Sequence, residues 1–169
     1  DFFHLDPSLL TIVWARRLVD YKQPELILSD LSRLPKNVQI IIAGNIHASD
    51  PSSVSIAKRI SDLIKDRPTI VFYPQYDLSV AQMLTAGADI WLNTPLVGKE
   101  ACGTSGMKAG INGALMVSTP DGWIAENDWN EVGWILSQQN TAESLYNALE
   151  KEIVPLYYDH RDEWTVRME

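Results

Sequence analysis

Five short stretches of this chain are almost continuously apolar: LLTIVWA (9–15), VQIIIAG (38–44), TIVFY (69–73), DIWLN (89–93) and ALMVS (114–118). A strand covered on both faces reads this way, whereas a strand wetted on one face alternates. Helical patterns lie between them. Ile27, Leu31 and Leu34 form one stripe, and Ile56, Ile60, Leu63 and Ile64 form another. Asp50 before Pro51 fits an N-cap with proline at the first helical position, and Ser79 with Gln82 resembles a capping box. A last helix is expected from about Ala142, behind Asn140 and Glu143, with Leu145, Leu149 and Ile153 on one side and Pro155 bending or ending it. "MVST" and "WIAE" read as short strands joined by a turn at Asp121 and Gly122. Strand and helix in alternation predict a doubly wound, Rossmann-like α/β domain with a parallel sheet and right-handed crossovers. There is no internal linker and no repeat beyond the alternation.

At 169 residues the chain is expected to form a single domain over 1–169. With 46% hydrophobic and 21% charged residues it has an ordinary globular composition. The net charge of −8 argues against a general nucleic-acid or anionic-membrane binder, while leaving room for a local basic pocket. One cysteine, Cys102, excludes an internal disulfide and a cysteine zinc site. No run approaches the roughly 18 apolar residues needed to cross a bilayer, and the chain reads as cytoplasmic. It begins DFFHLDPS, without initiator methionine or signal peptide, and ends in the charged run EWTVRME, so it reads as a piece of something longer.

In such a sheet the loops leaving the carboxyl ends of the strands open on one edge, where ligands bind. Arg16, Arg17 and Lys22 follow the first strand, and Lys108 follows the fourth. The spacing sets Lys108 in the first turn of a helix, at its positive end, where a cation belongs only if an anion joins it. Four cations converging on one crevice of an acidic protein imply an anionic ligand. The backbone N–H groups of Gly103, Thr104 and Ser105 would add donors for phosphate oxygens. Solvated loop cations are the plainer alternative. Ser105 and Lys108 also fit S-x-x-K, but the chain has neither S-D-N nor K-T-G. GKE at 98–100 lacks the glycine spacing and the Ser or Thr of a P-loop. Cys102 has no evident base among the scattered His4, His47 and His160, and reads as a small loop residue.

The segment EACGTSGMKAGINGAL (100–115) is very similar to the pyridoxal-phosphate segment of the α-glucan phosphorylases, the family of glycogen, starch and maltodextrin phosphorylases. VWARRLVDYK resembles their phosphate-binding strand and loop, VFYPQYDLSVA the segment with a cofactor-contacting tyrosine, and DGWIAEN the stretch that follows. Order and approximate spacing match, most like the shorter bacterial and archaeal members. The resemblance implies the carboxyl-terminal domain of a GT-B fold. It implies that Lys108 forms a Schiff base with pyridoxal 5'-phosphate, whose phosphate is held by Gly103, Thr104, Ser105 and Arg16, with Tyr76 beside the ring. Arg17 and Lys22 would bind inorganic phosphate, making them catalytic together with Lys108. Glu100 and the backbone at Cys102 and Gly103 would hydrogen-bond the glucose. Two positions depart from the commonest pattern, arginine for lysine at 16 and cysteine for serine at 102; the first keeps the charge and adds a fork of donors.

The implied reaction is phosphorolysis of an α-1,4-glucan or maltodextrin to glucose 1-phosphate with retention, without using the cofactor ring as an electron sink. Clustered cations let two phosphates coexist. An amino-terminal domain of the parent chain would supply the opposite wall, so this piece alone is expected to be inactive. Two other readings stand beside it. A nucleotide-sugar glycosyltransferase of the same architecture often carries a glutamate eight positions after the equivalent of Glu100, where this chain has Lys108. A binding module without turnover is the other. The six tryptophans read as core or interface residues, with none assigned to sugar.

Overall fold

The computed structural model describes residues 5–169. His4 therefore lies outside the described residues. Among the described residues, six strands form one parallel sheet: β1 (Leu10–Ala15), β2 (Val38–Ala43), β3 (Ile70–Tyr73), β4 (Ile90–Asn93), β5 (Leu115–Ser118) and β6 (Gly133–Ile135). Their spatial order is β3-β2-β1-β4-β5-β6, with every neighbouring pair parallel. This is the doubly wound order in which the chain reverses direction between β1 and β4. The helices are α1 (Pro51–Ile64), α2 (Leu78–Gly87), α3 (Thr104–Ile111), α4 (Thr141–Ala148), α5 (Val154–Asp159) and α6 (Arg161–Met168).

Strand side chains alternate between two buried clusters. Ile12, Trp14, Ile40, Ile42 and Leu92 pack with Ile56 and Ile60 of α1 and with Leu145, Leu156 and Trp164 of the carboxyl-terminal helices. Val13, Ile41, Trp91 and Met116 pack on the other face with Val80 and Leu84 of α2 and Ala109 of α3. The apolar runs are continuous because both faces are covered. Trp14, Trp91 and Trp164 are fully buried and Trp134 nearly so. Among the described residues no helix is long and apolar enough to cross a membrane.

The α1 cap forms as expected: the Asp50 side chain accepts from the Ser52 N–H, with Pro51 opening the helix. Leu63, however, is exposed at the flank of its stripe. Three other expectations are corrected. The stretch holding Ile27, Leu31 and Leu34 contains a 3-10 turn at Leu26–Leu28, after another at Asp20–Lys22, rather than an α-helix. Asp30 accepts from the Ser32 N–H and gives its own N–H to the Tyr146 hydroxyl, so its backbone is drawn out of helical pairing. The cap of α2 is Asp77, which accepts from the Val80 N–H at 2.8 Å, not Ser79 with Gln82. "WIAE" lies in a 3-10 helix, Gly122–Glu126, because the place beside β5 is taken by β6. The last helix begins at Thr141 and carries Leu145, Leu149 and Ile153 buried as expected. It widens into a π-helical turn over Leu149–Ile153 before Pro155, which relieves the missing N–H and ring clash that proline brings to a regular helix.

Candidate active site at the carboxyl edge of the sheet

Loops after β1, β4 and β5 are tied together before any ligand is considered. The Thr94 hydroxyl reaches the carbonyls of Lys22 and Gln23 at 3.2 Å, and the Leu96 N–H donates to Tyr21 at 2.6 Å. Gln23 holds a left-handed φ of 47°, an uncommon conformation for a residue with a side chain, and Thr94 secures its carbonyl. On the other side, Asp121 accepts from the Lys99 N–H at 3.1 Å, the Glu100 N–H at 2.8 Å and the Gly122 N–H at 3.0 Å. Burial opposes ionisation of that carboxyl, but the N–H groups of Glu100, Gly98, Gly122 and Lys99 outweigh it and hold it below its ordinary range. Gly122 is required here: its φ is 56°, and a Cβ would stand 2.8 Å from the Ala101 carbonyl. The loop carrying Glu100 is therefore clamped from below.

Glu100 gathers two of the four cations. Its carboxylate bonds Lys22 Nζ and lies 3.6 Å from Arg16 Nη1, with all three side chains largely buried. Arg16 is under-satisfied even so. Its Nε and Nη1 are buried without a hydrogen-bond partner. Burial draws the guanidinium pKa down, and Glu100 opposes that shift. Arg16 Nη2 faces Gly103, where a Cβ would come within 2.8 Å of it. Any side chain at 103 would push the guanidinium away from the start of α3. Asn93 Oδ1, also buried and unpaired, stands 3.7 Å from the same point.

Gly103 is the N-cap of α3, without a side-chain cap, so the first N–H groups of the helix are not met by a capping side chain. Lys108 is the fifth of the eight residues of α3 and lies in its last turn, which corrects its expected place in the first: at this negative end a cation suits the helix dipole without any anion. On a 3.6-residue period it stands one turn above Thr104, sharing a face with Thr104 and Ser105. These three line a cleft of about 590 Å³ with Tyr76 and Gln82 across from them. Tyr76 is fixed by Asn45, which accepts from the Tyr76 N–H at 2.6 Å and donates to its carbonyl at 2.8 Å. Burial raises the phenol pKa of Tyr76, and nearby Arg16 opposes the shift.

The sequence-derived set is thus divided. Arg16, Lys22, Glu100 and Gly103 come together in a buried cluster; Tyr76, Thr104, Ser105 and Lys108 line the adjoining cleft. Arg17, Cys102 and Lys108 are exposed. Four cations do not meet in one crevice: two are compensated by an internal carboxylate, and two face solvent. Sequence reasoning did not single out Asn93 or Asn45; the one available signal was an asparagine at the end of DIWLN and another just past VQIIIAG. Among the described residues no group of His, Cys, Asp and Glu could hold a metal.

Residues 52–134 match the family model described as carbohydrate phosphorylase. The chain is 42% identical over 177 residues to glycogen phosphorylase of Aquifex aeolicus, covering 94% of this chain and 25% of that protein. It is 37% identical over 185 residues to maltodextrin phosphorylase of Thermococcus litoralis, covering 97% of this chain and 22% of that protein. The chain therefore spans about a quarter of the length of the curated relatives it matches. Among solved structures it is similar to a glycosyltransferase from Rickettsia africae, with a TM-score of 0.75 at 20% identity over 96% of this chain and 42% of that one. That likeness concerns the fold alone.

Proposed function

The chain belongs to the carbohydrate phosphorylase family, and from that premise we propose that the protein carrying it uses inorganic phosphate to cleave α-1,4-glucans or maltodextrins, releasing glucose 1-phosphate with pyridoxal 5'-phosphate as cofactor. The observation that carries the reading is Arg16: a guanidinium with two buried nitrogens that make no hydrogen bond, set against a glycine that opens a helix. Unmade hydrogen bonds at a buried charge are costly, and an anion at this place removes the cost. The residues present fit a phosphate ester. Arg16 and the backbone N–H groups of Thr104 and Ser105 would hold its oxygens, with Gly103 allowing the close approach. Lys108 would anchor the aldehyde from the shared helix face, and Tyr76 would pack beside the ring.

When bound, the cofactor supplies a phosphate group next to the substrate phosphate rather than an electron-accepting ring. Arg17, at the exposed mouth of the loop, and Lys22 would hold inorganic phosphate. An arriving phosphate competes with Glu100 for Lys22 and Arg16, and the released carboxylate can then accept from hydroxyls of the glucosyl unit. The backbone at Cys102 and Gly103 would add sugar contacts that do not depend on the cysteine side chain. The opposite wall of the site would come from an amino-terminal domain of the parent protein. Incubation with maltodextrin should release glucose 1-phosphate only when inorganic phosphate is present. Consumption of a nucleotide-activated sugar in its place would overturn the proposal.

A further inference from the structure

We infer that Asn45 is a positioning residue for the cofactor cleft: its side chain fixes the backbone of Tyr76 and so holds that ring beside the place the pyridine would take. The inference rests on the cofactor reading above. Pairing of β2 with β3 closes at Ala43 and Tyr73, and among the described residues the last backbone bond between them at this edge runs from the Gly44 N–H to Tyr73 at 3.1 Å. Past that point the Asn45 amide takes the place of a strand. Its Oδ1 accepts from the Tyr76 N–H at 2.6 Å, and its Nδ2 donates to the Tyr76 carbonyl at 2.8 Å. A backbone N–H only donates and a carbonyl only accepts, so the two bonds settle which way the amide faces.

Asn45 is itself held from both sides. A Cβ on Gly44 would stand 2.5 Å from the Arg16 carbonyl and 2.8 Å from Leu18 Cγ, so glycine lets this loop press on the exit of β1. On the other side Ser53, buried in the first turn of α1, accepts from the His47 N–H at 3.1 Å, and its hydroxyl reaches the carbonyls of His47 and Asp50 at 3.2 and 3.0 Å. The loop is therefore a fixed platform. None of residues 44–50 lines the cleft that Tyr76 shares with Thr104, Ser105 and Lys108, so Asn45 reaches the cofactor only through Tyr76. The Tyr76 ring also packs at the margin of the apolar cluster under α2. Apolar contact is non-directional and leaves the ring free to slide; two aligned hydrogen bonds to its own backbone do not.

The test is the rate at which the cofactor-loaded protein loses pyridoxal 5'-phosphate in dialysis, followed by absorbance. Asn45→Ala should speed that loss about tenfold, the size expected for two hydrogen bonds. Asn45→Asp, nearly the same shape, should speed it too, because it sets a second acceptor against the Tyr76 carbonyl; should the alanine variant fail to fold, the Asp variant decides the matter. A residue that acts through Tyr76 has no further effect once the ring is gone. Tyr76→Ala, with or without the same change at Asn45, should therefore lose cofactor at one rate. Tyr158→Phe removes a hydroxyl that meets the Leu10 N–H and the Asn37 carbonyl where β1 and β2 begin, at the opposite edge of the sheet. It should lower the urea midpoint and leave cofactor loss at the wild-type rate. Wild-type retention in a folded Asn45 variant, additive losses in the double variant, or equal acceleration by Tyr158→Phe would each overturn the inference alone. A wild-type protein that retains no pyridoxal phosphate would instead defeat the cofactor reading, and this inference with it.

Discussion

Of the arginines that sit against glutamates, Arg33 and Arg16 have opposite fates. Arg33 places Nε and Nη2 on the two oxygens of Glu150, each at 2.9 Å, and Nη1 on Glu143 at 2.6 Å, while its guanidinium lies 5.1 Å from the Tyr146 ring centre. Hydrogen bonds to Glu150, and then to Glu143, raise its pKa. Arg16 is the buried one, its side chain 5% exposed, yet its Nη1 has only a looser 3.6 Å contact with Glu100, and neither Nη1 nor Nε makes a hydrogen bond. Burial lowers its pKa. A solvated arginine with every direction filled can be explained by the fold alone. A desolvated arginine left incomplete calls for a ligand, since leaving charged donors unmatched in the interior is the expensive option.

The largest effect should come from removing the carboxylate in the buried system. Glu100→Gln leaves Lys22 and Arg16 without compensation and should cost about 3–5 kcal/mol of stability in urea unfolding. Excess inorganic phosphate should recover part of that loss if the vacated place takes an anion. Recovery by chloride to the same extent would blunt the contrast between the two arginines. Gly103→Ala should cost about 1–3 kcal/mol, because the new methyl meets Arg16 Nη2; its cofactor retention should fall with it in dialysis followed by absorbance.

Asp121 sharpens the comparison through pH. Its folded pKa lies below the ordinary 3.8. Its contribution is therefore fully present above that unfolded value and is lost as pH falls through the lower folded one. Asp121→Asn should flatten this acidic limb of the stability profile, read by urea midpoints at successive pH values; an unchanged limb would mean the clamp on the Glu100 loop is energetically idle. Arg33→Ala should give the smallest shift in urea midpoint, and high salt should erase most of it.

Much of the fold was legible because it rests on long-range burial written directly as apolar runs. Five strands appear within a residue or so of the expected bounds, and the wild alternation of cluster membership along β1 and β2 explains why they looked uniformly apolar. The sixth strand was not legible: Gly133–Ile135 has three residues, too few for any period. The turns after β1 were misread because Leu31 and Leu34 do pack on the core, so their helical spacing is real while the backbone between them is held by Asp30 and Tyr146. At the site, residue types and loop positions were visible, but pairing was not. Nothing in the chain order says that Glu100 takes Lys22 or that Asp121 clamps the loop. Those depend on which strand ends lie side by side. Lys108 was placed one turn too early because the helix begins immediately after Gly103.

The most direct test of the account is borohydride reduction of the cofactor-loaded protein followed by peptide mass mapping. A stable pyridoxyl group on Lys108, lost in Lys108→Ala while urea unfolding is little changed, is the predicted result. A label on a different lysine, or cofactor-replete protein with no label at all, would contradict it.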